Sequence, residues 1–207
     1  MRSRKVGASS RLDRNNQGKT RKSTVNFGIH ICPGLRDNGP VIFSEVQLGQ
    51  GRRMALRPEE AGDEPLLFQL YASTREEELA LTGWDERTRT QFLQGQFRAQ
   101  RTGYRSMFPT ADFAILVLEA AAAGRIVVQQ TPAEIRLVDL IIAPALHNRG
   151  LGTALMHSLF SEAVRQNKPV RLHVFQNNRA AFWYQRLGFR KIGAQGVHDE
   201  MEWCAPS

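Results

Sequence analysis

A short glycine-containing loop is the segment whose residue types point most directly to chemistry. Gly150 and Gly152 lie between a predicted strand over residues 134–143 and a predicted helix over residues 153–166. Glycine lets a ligand approach the backbone closely, and the first turn of a helix offers unpaired N–H groups with a partial positive charge. Arg149 adds a charged donor beside them. The pattern predicts an anion site suited to a pyrophosphate group.

Two common nucleotide-binding motifs do not fit this loop. A P-loop requires Gly-Lys-Ser/Thr at the start of the helix, whereas Gly152 is followed by Thr153 and Ala154. A dinucleotide fold requires a third glycine where Leu155 stands, and an acidic residue after the next strand, where residues 174–176 supply none. From the loop alone, a tight strand–turn–helix connection without a ligand stays open as an alternative.

A second motif follows the loop and makes the pattern specific. Residues 147–152 read His-Asn-Arg-Gly-Leu-Gly, and residues 177–189 read Asn-Asn-Arg-Ala-Ala-Phe-Trp-Tyr-Gln-Arg-Leu-Gly-Phe. In this order the two motifs resemble those of the GNAT superfamily of acetyl-CoA-dependent N-acetyltransferases, over residues 54–207 and most strongly over 134–191. The family has Arg or Gln at the position of His147. A neutral imidazole is shorter and a weaker donor to an anion, so this departure is expected to weaken the anion contact.

The resemblance implies a particular α/β fold and a set of coenzyme contacts. The fold is the GNAT-type acyl-CoA N-acyltransferase fold, a central mixed, mostly antiparallel sheet with a splayed strand pair and flanking helices. Acetyl-CoA is the implied co-substrate, without a metal. Its pantetheine arm would lie between strands 134–143 and 170–175, where a backbone N–H near residues 140–142 polarises the thioester carbonyl. The implied cofactor-binding residues are Leu140, Ile141, Ile142, His147, Asn148, Arg149, Gly150, Leu151, Gly152, Thr153, Asn177, Ala180 and Tyr184.

The same resemblance implies how the catalytic proton transfers are made. Tyr184 matches the family tyrosine that protonates the departing thiolate, a role that a phenol can fill at neutral pH. The position of the base in the histone-acetylating branch corresponds to Arg136, so that role does not carry over. Glu134, two residues earlier on the same strand face, is the expected base. Asp139, on the opposite face unless a bulge intervenes, and His173, acting through water, are the alternatives.

The acceptor is expected on the side of the first two helices, over residues 59–110. Candidate lining residues there are Trp84, Arg87, Gln91, Phe97, Gln100, Arg101 and Tyr104. The implied reaction is direct attack of a primary amine, on a small molecule or a peptide, on the acetyl group. The alternative function is a catalytically weak acyl-CoA-binding module of the same fold, with a nucleic-acid-binding basic tail.

Hydrophobic periodicity supports one α/β layer structure around a single sheet. The predicted strands cover residues 54–58, 112–118, 125–129, 134–143, 170–175, 189–192 and 197–203, and the predicted helices cover 59–74, a segment that begins at Asp85, 153–166 and 179–187. An Ala-Gly turn is expected to join the strands 112–118 and 125–129. The implied site residues therefore fall on the predicted strand 134–143, on the loop that follows it, and on or just before the predicted helices 153–166 and 179–187.

Charge divides the chain at Met54. The 207 residues carry 28 Lys+Arg against 20 Asp+Glu, a net charge of +8, and the first 53 residues hold the whole excess. We expect residues 1–53 to be a basic, largely disordered extension and residues 54–207 to be the catalytic domain. Three hypotheses compete for the extension: a tail that binds a polyanion, a transit-like leader, and, favoured here, a dispensable or untranslated stretch.

The remaining composition narrows the class of protein. No apolar run is long enough to cross a membrane, and Cys32 and Cys204 are too few for a disulfide framework or a cysteine zinc site. We therefore expect a cytoplasmic enzyme with no membrane partner. Nucleic acid is expected to bind only through residues 1–53, and a homodimer stays open.

Overall fold

The computed structural model describes residues 43–176 and 178–206. Among them are eight strands: β1 (Glu45–Gln47), β2 (Arg53–Pro58), β3 (Asp112–Leu118), β4 (Ala121–Gln130), β5 (Ile135–Ile142), β6 (Val170–Phe175), β7 (Arg190–Gln195) and β8 (His198–Trp203). The α-helices of the same residues are α1 (Glu64–Ser73), α2 (Glu76–Ala80), α3 (Glu86–Met107), α4 (Leu151–Gln166) and α5 (Arg179–Arg186). The part of the chain so described contains no helix long and apolar enough to cross a membrane.

The strands form one mixed sheet in the order β1-β2-β3-β4-β5-β6-β8-β7. Every neighbouring pair is antiparallel except β5 and β6, which run parallel. Helices α4 and α5 pack with the sheet in one buried core, and α1, α2 and α3 form a second core against the other face. The predicted fold class, a mostly antiparallel sheet flanked by helices, is confirmed.

The packed structure begins before the predicted boundary at residue 54. Strand β1 pairs antiparallel with β2, and Phe43 and Val46 are buried in the first core. They cover Met54 and Leu56, which would otherwise face water at the sheet edge. The domain was expected to start at Met54, but residues 43–53 also belong to the packed structure. Residues 1–42 lie outside the described residues.

Two further boundaries differ from the sequence predictions. The β3–β4 hairpin turns at Glu119 and Ala120, both with positive φ, rather than at the Ala-Gly step. Gly124 lies inside β4, where a Cβ would meet the backbone oxygen of Ile141 at 2.2 Å, so its role is close strand packing. The first helix begins at Glu64 rather than residue 59, because the Glu59 N–H extends the strand pairing by bonding to the Phe113 carbonyl.

Candidate active site

The parallel strands β5 and β6 separate after a short paired stretch. Their register runs from Ile135 opposite Val170 to Leu137 opposite Leu172 and ends there, although both strands continue. Beyond that point the facing backbone groups of β5 and β6 have no ladder partner across the gap. The gap opens toward the loop that follows β5, so an extended ligand lying in it would contact both the unpaired strand backbone and the loop.

A β-bulge at the start of the gap reverses the facing of β5. Val128 of β4 lies opposite Leu137, and its neighbour Val127 lies opposite Asp139, so Val138 is the additional residue. Leu137 points into the core with α4 and α5, whereas Asp139 shares the face of Arg125 beneath α3. From the sequence, Asp139 was expected on the opposite face of the strand from Glu134 unless a bulge intervened. The bulge is present, so Asp139 lies on the same face as Glu134.

The loop after β5 folds back on the strand end. The His147 Nε2–H donates a hydrogen bond of 2.8 Å to the Ile142 carbonyl, so this nitrogen is engaged in closing the loop. Asn148 and Gly150 adopt positive φ, and α4 begins directly after Gly150 without a side-chain cap. The early N–H groups of α4 are consequently left for a ligand or water. Arg149 is exposed at the rim.

Helix α5 packs its aromatic residues beside this loop. A Cβ at Gly152 would lie 3.3 Å from the Trp183 ring, so glycine lets the start of α4 approach α5 closely. Tyr184 is buried in the same core, with its ring against those of Trp183 and Phe189. Burial first, and the nearby charge of Asp139 second, raise the pKa of Tyr184 well above its usual range. Its phenol is therefore neutral and keeps its proton at physiological pH.

The other predicted coenzyme contacts surround the gap and the loop. Leu140 and Ile142 pack against the first core, and Ile141 is buried on the opposite face of β5. Leu151 is buried, and Thr153 is half-buried in the first turn of α4. The start of α5 is capped by Asn178, whose Oδ1 accepts the Ala180 N–H at 2.8 Å. Asn177 lies outside the described residues.

A buried charge cluster lies under α3, beside the gap. Arg125, 2% exposed, has a nitrogen 3.4 Å from Asp139 Oδ2 and another 3.6 Å from Glu59 Oε2. Its guanidinium also lies 5.9 Å from the centre of the Tyr104 ring. Burial raises the pKa of Asp139 to about 6, opposed by the charge of Arg125 and the N–H of Leu140. Burial, with the Asp139 charge, raises the pKa of Tyr104 to about 12.

Glu59 and Arg125 were not among the site residues predicted from the sequence. Glu59 was assigned to the first turn of a helix, and Arg125 to the start of a strand. A signal was present, because Arg125 opens a run of three β-branched apolar residues that continues into a buried strand. A charged residue in such a run needs a buried counter-charge.

Glu134 and His173 are engaged in a separate polar network at the closed end of the gap. Glu134 accepts hydrogen bonds from Arg136 at 2.6 Å and from Arg171 at 3.0 Å. The guanidinium of Arg136 also lies 3.2 Å from His173 Nδ1, which must accept because a guanidinium only donates. Burial and the Arg136 charge lower the pKa of His173. Neither side chain is positioned as a free proton acceptor beside Asp139 and Tyr184.

A cavity of about 240 Å³ lies among α1, α2 and α3, on the side where the acceptor was expected. Its lining residues are Tyr71, Arg75, Glu78, Leu79, Phe92 and Gln96. They fall within the predicted span 59–110, but none of the seven individually predicted residues is among them. Tyr104 does not line the cavity, but the charges of both Asp139 and Arg75 act on its hydroxyl. Of the other six, Phe97 is core, Arg101 binds Glu59, Trp84 packs on Phe92, and Arg87, Gln91 and Gln100 are outside the cluster.

Comparison with known proteins identifies the class. The family model described as "Acetyltransferase (GNAT) domain" matches residues 75–205. The chain belongs to the GNAT acetyltransferase family. No curated protein sequence matches the chain.

Solved structures share the fold at low sequence identity. The PaiA N-acetyltransferase from Thermoplasma acidophilum, in complex with coenzyme A, is 16% identical with a TM-score of 0.55, over 73% of this chain and 99% of that one. An acetyltransferase from Thermus thermophilus is 19% identical with a TM-score of 0.53, over 73% of this chain and 97% of that one. These structures share the fold of the chain, and the family model confirms the predicted family.

Proposed function

We propose that the protein is an N-acetyltransferase that transfers the acetyl group of acetyl-CoA to a primary amine by direct attack. The observation that carries the proposal is the position of Asp139 and Tyr184 at the open β5–β6 gap. Asp139 lies on β5 two residues past the last β5–β6 pair, on the face covered by α3, and its charge acts on the phenol of Tyr184, which is buried in the core with α4 and α5. Two titratable groups with different environments meet at one strand opening, as acid and base catalysis requires.

The loop and the gap fit the coenzyme. The early N–H groups of α4, at Leu151, Gly152 and Thr153, have no side-chain cap and would bind the pyrophosphate. The unpaired edge of β5 over residues 139–142 would hold the pantetheine arm as an added strand. Because the His147 Nε2–H is directed to Ile142, we propose that His147 shapes the loop and leaves anion binding to the backbone and Arg149. Ala180 of α5 remains a proposed contact, as does Asn177, which lies outside the described residues.

The proton transfers follow from the environments of two side chains. Bound acetyl-CoA supplies an acyl group activated as a thioester. Asp139 takes the proton from the attacking amine, and its pKa of about 6 keeps a large ionised fraction at neutral pH. Tyr184 holds its proton until the sulfur of the coenzyme departs and then donates it. We propose Asp139 in place of Glu134, because two arginines already occupy the Glu134 carboxylate.

The acceptor would enter from the side of α1, α2 and α3. The cavity there has apolar and aromatic walls with one guanidinium and one carboxylate, Arg75 and Glu78, which are paired at 3.0 Å. The charges of Arg75, which lines this cavity, and of Asp139 both act on the Tyr104 hydroxyl, so we propose that the acceptor amine passes Tyr104 to reach the proposed base. The acceptor class we propose is a primary amine on a small molecule or a peptide end.

The test is a panel of amines with release of the coenzyme thiol as readout. Asp139→Asn and Tyr184→Phe are expected to lower turnover strongly while coenzyme binding persists. Glu134→Gln is the matched control, because it neutralises the other strand carboxylate and is expected to retain turnover. Retained turnover in Asp139→Asn with loss in Glu134→Gln would overturn the assignment of the base. Coenzyme binding with no amine acetylated would favour the acyl-CoA-binding module instead.

A further inference from the structure

Arg125 is the most buried cation of the site, and it lies between two acidic side chains. One nitrogen is 3.6 Å from Glu59 Oε2 and another is 3.4 Å from Asp139 Oδ2. The Glu59 side chain is 1% exposed, so both members of that pair are shielded from water. The rings of Tyr104 and Phe113 enclose the guanidinium, with centroids at 5.9 and 5.7 Å. The cluster is therefore a low-dielectric one, in which charges act strongly on one another.

The contacts within the cluster are electrostatic rather than tightly hydrogen-bonded. Glu59 Oε2, Arg125 Nε and Asp139 Oδ2 are buried without a direct hydrogen bond. The other Glu59 oxygen accepts from Arg105 at 2.7 Å and from Arg101 at 3.1 Å, which anchors Glu59 to α3. Structural ion pairs maximise their hydrogen bonds. Unsatisfied buried charge next to a candidate base is instead typical of a site whose groups change protonation.

We propose that Arg125, held in place by Glu59, is a positioning residue that orients Asp139 and sets its charge for proton removal from the acceptor amine. The inference rests on the proposed function, in which Asp139 is the base. The bulge at Val138 is what makes it feasible, since it turns Asp139 toward Arg125. Arg125 acts through Asp139 and does not need to touch the acceptor.

The proposal predicts that substitutions of Arg125 and of Glu59 shift the pKa of Asp139 in opposite directions. Arg125 from β4 and Tyr104 from α3 lie on the same face as Asp139, Tyr184 from α5 feels its charge from the other core, and Arg125 is the cation among them. Removing the Arg125 charge is expected to raise the pKa of Asp139, since the attraction that favours the carboxylate is lost. Removing the Glu59 charge leaves Arg125 less neutralised, so the pKa of Asp139 is expected to fall.

The experiment follows the side-chain carboxyl of Asp139 by NMR titration in the full chain. Arg125→Met is expected to raise its pKa by about one pH unit or more, and Glu59→Gln to lower it by about half a unit. Arg125→Lys, which keeps the charge, is the control and is expected to stay closer to the unsubstituted chain. The double variant Glu59→Gln/Arg125→Met removes the buried cation and its buried counter-charge together. It allows the upward shift in the pKa of Asp139 to be measured even if Arg125→Met alone does not fold.

The titration needs no acceptor, which separates this inference from the proposed function. Shifts of opposite sign for Arg125→Met and Glu59→Gln, mirrored in the acid limb of the pH–rate profile, support it. Identical titration of Asp139 in all variants overturns it, even where Asp139→Asn abolishes turnover. Full turnover in Asp139→Asn overturns the proposed function instead.

Discussion

Replacing Asp139 by Asn changes how the stability of the protein depends on pH. Burial raises the pKa of Asp139 from 3.8 to about 6 in the folded chain. Between these values the folded state holds a proton that the unfolded state has released, so the free energy of unfolding falls as pH rises. Two pH units at about 1.4 kcal/mol each make ionisation cost roughly 3 kcal/mol above about pH 6. Because the side chain keeps 15% of its surface exposed, this figure is an upper bound.

The assay is urea unfolding of both chains between about pH 4 and about pH 8. The free energy of unfolding of Asp139→Asn, relative to the unsubstituted chain, is expected to increase by roughly 2 to 3 kcal/mol from about pH 4 to about pH 6 and then to level off. Glu119→Gln, in the exposed β3–β4 turn, is the matched control and should show no such rise. If the difference in free energy of unfolding between the two chains stays constant within about 0.5 kcal/mol across this pH range, the raised pKa of Asp139 is refuted.

Three further predictions concern the acid, the sheet and its edge. Tyr184→Phe is expected to lower kcat about 100-fold with the coenzyme Kd nearly unchanged, measured by steady-state kinetics and calorimetry; an unchanged kcat removes Tyr184 from the mechanism. Gly124→Ala should destabilise by about 1 to 3 kcal/mol, because its Cβ would lie 2.2 Å from the Ile141 oxygen. Gly95→Ala, on α3, should stabilise the protein by about 0.5 to 1 kcal/mol, because a Cβ there meets no atom within 4 Å. Equal changes in melting temperature for the two glycine variants would contradict both of these predictions. Val46→Ala should lower the free energy of unfolding by about 1 to 2 kcal/mol, as expected of a fully buried strand residue, and no loss would place β1 outside the folded unit.

The class of protein could be predicted from local sequence because its signals are local. A glycine loop between a strand and a helix needs only consecutive residues to be recognised, and the positive φ of Gly150 follows from that residue type. A helical segment was predicted to begin at Asp85, and the Asp85 side chain caps α3 there by accepting the Thr88 N–H. Tyr184 was found in the same way, from a motif within one helix and its flanks.

The proposed base could not be chosen from sequence, because its facing depends on a pairing between distant segments. Counting alternation along β5 places Asp139 with Leu137, and a single inserted residue at Val138 reverses that. Only the register against β4 reveals the bulge. The occupancy of Glu134 by Arg136 and Arg171 likewise depends on β6 lying beside β5.

What the sequence determined by itself was the fold class, the glycine-containing loop before α4 and the helix that carries Tyr184, since each depends on residue types close together in the chain. The tertiary structure alone decided that residues 43–53 belong to the sheet, that Glu59 extends β2, and that Glu59, Arg125 and Asp139 form one buried cluster. The physical reason is that charge pairing and burial are set by distances in space. These three residues come from separate strands and meet only once the sheet has formed.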